Sequence, residues 1–133
     1  MPSHELLKEN SYKTVKKPWG QEQWISLNDK YCLKKIFINK DQRTSLQYHE
    51  QKKETNFVLS GTVLFTISKD NKLENYTLTP GDAVNINPLA IHRFTAISDD
   101  VVLLESSTPE VDDVIRIEDD TQRPDGRIEN EHE

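Results

Sequence analysis

The chain has 133 residues, 34% of them hydrophobic and 30% charged, with a formal net charge of -6. That length suits one domain with a real core, and the acidic balance argues against nucleic acid, whose phosphates call for clustered Lys and Arg. Cys32 is the single cysteine, which forbids an internal disulfide and points to a reducing, cytoplasmic setting; Met1–Ser11 lack the apolar run of a signal peptide, and no stretch has the length and apolarity of a membrane span.

Residues 1–13 are polar, and Ser3–Asn10 is the one run suited to a short helix. From there short apolar runs alternate with turn residues. Strands are predicted over Gln21–Leu27, Tyr31–Asn39, Arg43–His49, Thr55–Leu59, Thr62–Ser68, Glu74–Thr79, Ala83–Asn87, His92–Ile97 and Val101–Ser106. Turn signals such as Asn28-Asp29, Ser60-Gly61, Asp70-Asn71 and Pro80-Gly81 lie between them. Many short strands at such even spacing predict an all-β sandwich or barrel, here over residues 14–118. Val114–Ile117 can add an edge strand, and residues 119–133 read as an acidic, flexible tail.

Alternation supports this reading. Val63, Phe65 and Ile67 share one face of their strand. Cys32, Lys34, Ile36 and Ile38 share a parity, so Lys34 either points inward or snorkels to a barrel rim.

The stretch from Asp41 to Gly61 carries the chemistry. On an extended strand Arg43, Ser45, Gln47 and His49 point the same way, and the Cβ atoms of Gln47 and His49 stand about 7 Å apart. After a bend at Glu50–Lys53, Glu54 can return a carboxylate to the same point. His92, after the Pro88–Ala90 turn, can supply a fourth group. Two imidazoles, a carboxylate and an amide oxygen suit Zn²⁺, Mn²⁺, Fe²⁺, Co²⁺ or Ni²⁺. On spacing alone, ordinary polar strand residues remain the other reading.

The same residues resemble the cupin superfamily. Its first motif, G(X)5HXH(X)3-4E(X)6G, is matched in spacing by Asp41, Gln47-Tyr48-His49, Glu54 and Gly61. Its second, G(X)5PXG(X)2H, is matched by Gly81, Asn87-Pro88-Leu89 and His92. Asp41 replaces Gly, Gln47 replaces His, and Asn87 and Leu89 replace Pro and Gly. Within that superfamily the chain is similar to the mannose-6-phosphate isomerase type, in particular the C-terminal cupin domain of the bifunctional (type II) enzymes. Lys17-Pro18-Trp19-Gly20, Ser45-Leu46-Gln47-Tyr48-His49, Val58-Leu59-Ser60-Gly61-Thr62, His92-Arg93 and Asp113–Asp120 carry the likeness, across residues 14–123.

The resemblance implies a single-domain cupin, a double-stranded β-helix or jelly-roll barrel, holding one divalent metal, zinc first, on Gln47, His49, Glu54 and His92. In type I isomerases a Gln-x-His pair, a Glu and a later His bind zinc. It implies a sugar or sugar phosphate as ligand and aldose–ketose isomerisation as the reaction. Arg43 would hold a phosphate or an enediolate, against the plainer reading of a surface ion pair. Lys34, if inward, would anchor the phosphate or act as an acid. Glu105, in the apolar run Val101–Leu104, would be the base, against a strand-end carboxylate facing water. Arg93 should point away from His92. Type II enzymes have consecutive histidines where this chain has His49-Glu50-Gln51, and 133 residues leave no room for their nucleotide-transferring domain. The competing functions are a non-enzymatic sugar-binding module and a cupin oxygenase or sugar-nucleotide epimerase. By analogy with small cupins a homodimer is expected, with Thr14–Leu27 as an arm reaching a neighbour.

Overall fold

The alternating runs become strands. In the computed structural model, which describes residues 3–120 and the backbone of 126–127, these are β1 (Lys13–Lys17), β2 (Gly20–Leu27), β3 (Cys32–Ile38), β4 (Leu46–Tyr48), β5 (Glu54–Ser60), β6 (Val63–Lys69), β7 (Lys72–Leu78), β8 (Ala83–Ile86), β9 (His92–Ala96), β10 (Val101–Ser107), β11 (Ile115–Glu118) and β12 (Gly126–Arg127). They form two antiparallel sheets, ordered β1-β2-β3-β10-β5-β8 and β12-β11-β4-β9-β6-β7. This is the expected cupin jelly roll. Among the described residues the one helical turn is a 3-10 turn at Glu9–Ser11. The helix expected over Ser3–Asn10 does not form, because that segment buries nothing that would hold it.

Thr14–Leu27 is built into the chain's own sheet. β1 pairs with β2, and β2 with β3. β1 escaped sequence reading because Lys13–Lys17 offers Val15 as its one apolar residue. β11 is not an edge either, since it lies between β12 and β4. Gly126–Arg127 therefore belong to a sheet, within the region expected to be a flexible tail; the rest of that tail, beyond Asp120, lies outside the described residues.

Register divides the interior into layers. Ile36, Leu103 and Val58 sit side by side across β3, β10 and β5, in a core where Ile38, Val58, Val63, Ala96, Val101 and Leu103 are at most 1% exposed. One layer along, the same three strands present Lys34, Glu105 and Asn56. Strand alternation thus continues inward while residue type changes from apolar to ionisable. One end of the barrel is packed and the other is a polar cavity.

Two motif departures fall where the backbone is left-handed. Asp41 has φ 67° and Leu89 has φ 72°. The superfamily's glycines at these places suit that conformation, which side chains resist.

The Arg43–His49 run does not stay one strand. Arg43 bridges Thr95, whereas Gln47 pairs with His92. The run therefore holds one extra residue relative to β9, a bulge that shifts its facing parity. Thr44 reaches the cavity with Gln47 and His49, and Arg43 does not.

Candidate metal centre

The cavity lies between the sheets and measures about 600 Å³ counted out to its mouth. The second sheet contributes Gln47 on β4, His49 just after it, and His92 at the start of β9. The first contributes Glu54 on β5, Glu105 on β10, Lys34 on β3 and Glu22 on β2.

His49, Glu54 and His92 converge, with ligand atoms all within 4.8 Å of one another. His49 Nε2 is 3.4 Å and His92 Nε2 3.3 Å from the same Glu54 oxygen, Oε1. Each ring is fixed from behind. His49 Nδ1 donates to the Asp113 carbonyl at 2.6 Å, and His92 Nδ1 donates to the Ala90 carbonyl at 2.8 Å. A carbonyl only accepts, so each ring carries a proton on Nδ1, and in the neutral ring Nε2 aims its lone pair at Glu54. His49 Nε2 is buried without a hydrogen-bond partner. Lone pairs facing a carboxylate oxygen repel unless a cation lies among them. The backbone carbonyls behind the rings are the outer-shell partners that metal-bound histidines use. The residues therefore fit a divalent cation. Gln47 lines the same wall, paired in register with His92, and its Oε1 accepts a hydrogen bond from Ser45 at 2.6 Å.

Behind the set lies a residue the sequence reading passed over, Lys52. It is buried, with Nζ 3.3 Å from Glu54 Oε2 and 3.1 Å from Glu105 Oε2. Parity gives its signal: Lys52, Glu54, Asn56 and Val58 alternate inward, so the β5 pattern runs through the supposed bend. Burial alone would lower the Lys52 pKa, but Glu105 and Glu54 outweigh it and push it up. Burial would raise Glu54, yet the Lys52 ammonium and a hydrogen bond from Glu105 hold it well below the usual carboxylate range. Glu105 goes the other way. Burial first, and the Glu54 charge second, push it up to about 8. Two adjacent carboxyls with opposite shifts are the pattern that divides a charged ligand from a proton carrier.

The other expected residues separate. Lys34 points inward and is 1% exposed, resolving the rim alternative. Its Nζ is 3.2 Å from Glu22 Oε1 and 4.6 Å from the centre of the Trp24 ring, while Trp24 Nε1 donates to the same Glu22 oxygen at 3.0 Å. Glu105 is buried in the cavity wall rather than facing water. Arg43 is not brought to the site. Its guanidinium holds Asp120 through Nε and Nη2, the shortest contact being 2.7 Å, because the bulge turns it outward. That hydrogen bond draws the Asp120 carboxyl below its ordinary value. Arg93 turns away from the cavity as expected and donates to the Thr44 carbonyl at 3.0 Å. Glu50 and Gln51, at the positions where type II enzymes carry histidines, are exposed, so that departure leaves the cavity untouched.

Residues 5–119 match the family described as mannose-6-phosphate isomerase C-terminal. The chain belongs to that family. Among curated relatives, the mannose-1-phosphate guanylyltransferase ManC of Salmonella typhimurium is 30% identical over 112 residues, 81% of this chain and 22% of the relative. Mannose-1-phosphate guanylyltransferase 2 of Escherichia coli O157:H7 is 35% identical over 63 residues, 47% of this chain and 13% of that protein. The chain thus spans under a quarter of either relative's length. Solved structures agree on the fold. KdgF from a Halomonas species aligns with TM-score 0.70 and 16% identity over 82% of this chain and 98% of its own. Oxalate decarboxylase from Bacillus subtilis aligns with TM-score 0.75 and 9% identity over 88% of this chain and 33% of its own. The capsular polysaccharide assembling protein CapF from Staphylococcus aureus gives 0.71 and 15%, over 81% and 34%.

Proposed function

We propose that the chain is a metal-dependent sugar-phosphate isomerase that interconverts an aldose and a ketose. One observation carries this: Glu105 lies in the wall of the same cavity as the His49–Glu54–His92 set and shares Lys52 with Glu54. The family match and the sugar-phosphate names of its relatives supply the substrate class.

Gln47, His49, Glu54 and His92 would hold the cation, a donor set open to several divalent metals, with zinc put first by the resemblance to the type I isomerases. When bound, it supplies Lewis acidity to the oxygen that becomes negative as the sugar enolises, worth several kcal/mol of barrier. The remaining work falls to side chains. In its ionised form Glu105 takes the proton from C2 of the aldose and returns it to C1, while the hydroxyl proton passes from O2 to O1. A carboxyl whose pKa stands near neutral is suited to both halves of that transfer. Lys52 keeps the charge beside Glu105 balanced as the proton leaves and returns. Lys34, in an ion pair with Glu22, and Lys17, at the end of β1, both line the cavity and would meet the phosphate.

The test is solvent exchange. Zinc-loaded protein with hexose 6-phosphates in D₂O should incorporate deuterium at C2 and yield the ketose, read by proton NMR. Glu105→Gln should slow exchange by about 10²–10⁴-fold with sugar affinity little changed. Metal-loaded protein that exchanges no sugar phosphate of the panel contradicts the proposal, and tight sugar binding without exchange would instead favour the sugar-binding module.

A further inference from the structure

The segment between β10 and β11, residues 108–114, is stitched to the turn that follows His49. Asp113 is its centre. The Asp113 carbonyl accepts the His49 Nδ1 proton at 2.6 Å. Its carboxylate accepts three consecutive backbone N–H groups, from Glu50 at 3.2 Å, Gln51 at 2.6 Å and Lys52 at 3.0 Å. Thr108 completes the seam from its other end. Its Oγ1 accepts the Lys53 N–H at 3.0 Å, and its own N–H donates to the Lys53 carbonyl at 3.0 Å. Four successive amides of the turn are therefore satisfied by two side chains more than fifty positions away in sequence.

The geometry has a chemical consequence. The turn joins the two groups the site depends on, the His49 imidazole before it and the Lys52 ammonium after it. A buried carboxylate facing three amides is a strong, directional acceptor. Held by it, the turn cannot slide, and the same residue's carbonyl fixes which His49 nitrogen is free.

We infer that Asp113 is a positioning residue for the metal centre: it locks the His49 tautomer and the 50–52 turn, so that His49 Nε2 and Lys52 Nζ meet Glu54. The inference rests on the reading of His49, Glu54 and His92 as metal ligands. It assigns a function to an acidic residue outside the ligand set, and makes the β10–β11 strap part of the site.

Zinc affinity of the folded protein, measured by competition with a chromophoric chelator, is the test. Asp113→Ala keeps the carbonyl behind His49 but releases the three amides that hold carbonyl and turn in place, and should weaken zinc binding by about 10-fold, the lower end of what disturbing an outer shell costs. Asp113→Asn should weaken it less, because its Oδ1 still accepts. In the metal-free wild type, nitrogen-15 shifts of the His49 ring should report protonation at Nδ1, a readout that needs no variant to fold. Asp113→Ala that is less stable to urea yet binds zinc as tightly as wild type overturns the inference by making Asp113 merely structural. A His49 ring protonated at Nε2 in the metal-free protein overturns it too. Wild-type protein that takes up no zinc overturns the ligand reading beneath it, which separates the two failures.

Discussion

Leu89 shows how a motif can be kept at a cost. The superfamily pattern has glycine there, and the left-handed backbone, φ 72°, explains why. Leucine is tolerated there because it is 65% exposed. The left-handed conformation costs a side-chain-bearing residue about 1–2 kcal/mol, partly offset by the backbone entropy that glycine loses on folding. Leu89→Gly should therefore stabilise the protein by about 1 kcal/mol, seen as a higher urea midpoint at unchanged slope; an unchanged or lower midpoint would contradict that reading. The same scale explains what was legible in the site. Gln47, His49, Glu54 and His92 stood out because ligand types recur at motif spacing. Asp113 did not, since its role depends on a carbonyl and three amides that no spacing reveals.

At the scale of elements, β5 and the run leading to β4 behave oppositely. β5 keeps its alternation from Lys52 through Val58, so a strictly applied parity finds the buried lysine that turn reasoning hid. The Arg43–Gln47 run breaks its alternation at a bulge, and parity then misplaces Arg43, because one inserted residue exchanges the two faces. Nothing in Thr44-Ser45 announces the bulge; it is set by pairing with β9. The charged head of β5 also yields a stability prediction. Lys52 stands between Glu54 and Glu105 in a buried setting, and removing one member of such a group leaves charge uncompensated, typically costing about 3–5 kcal/mol. Lys52→Met should lower the unfolding free energy of metal-free protein by about that amount in urea titration, whereas a loss below about 1 kcal/mol would mean that the cluster is solvated or neutral.

For the whole molecule, the fold was readable because turn residues and two-residue periodicity recur along the chain, while the order of strands in each sheet was not, since β3 meets β10 and β4 meets both β9 and β11 through pairings distant in sequence. That topology is what makes the site. Glu54 comes from one sheet and Gln47 and His92 from the other, with His49 immediately after β4, so a cation held by them would tie the two sheets together at the polar end of the barrel. The decisive measurement is the metal content of protein purified without chelators or a metal-affinity tag, compared between wild type and His49→Ala. One divalent ion per chain in wild type and almost none in the variant is the expected result. Metal-free wild type, after incubation with excess zinc and desalting, or a variant that retains the full complement, would contradict it.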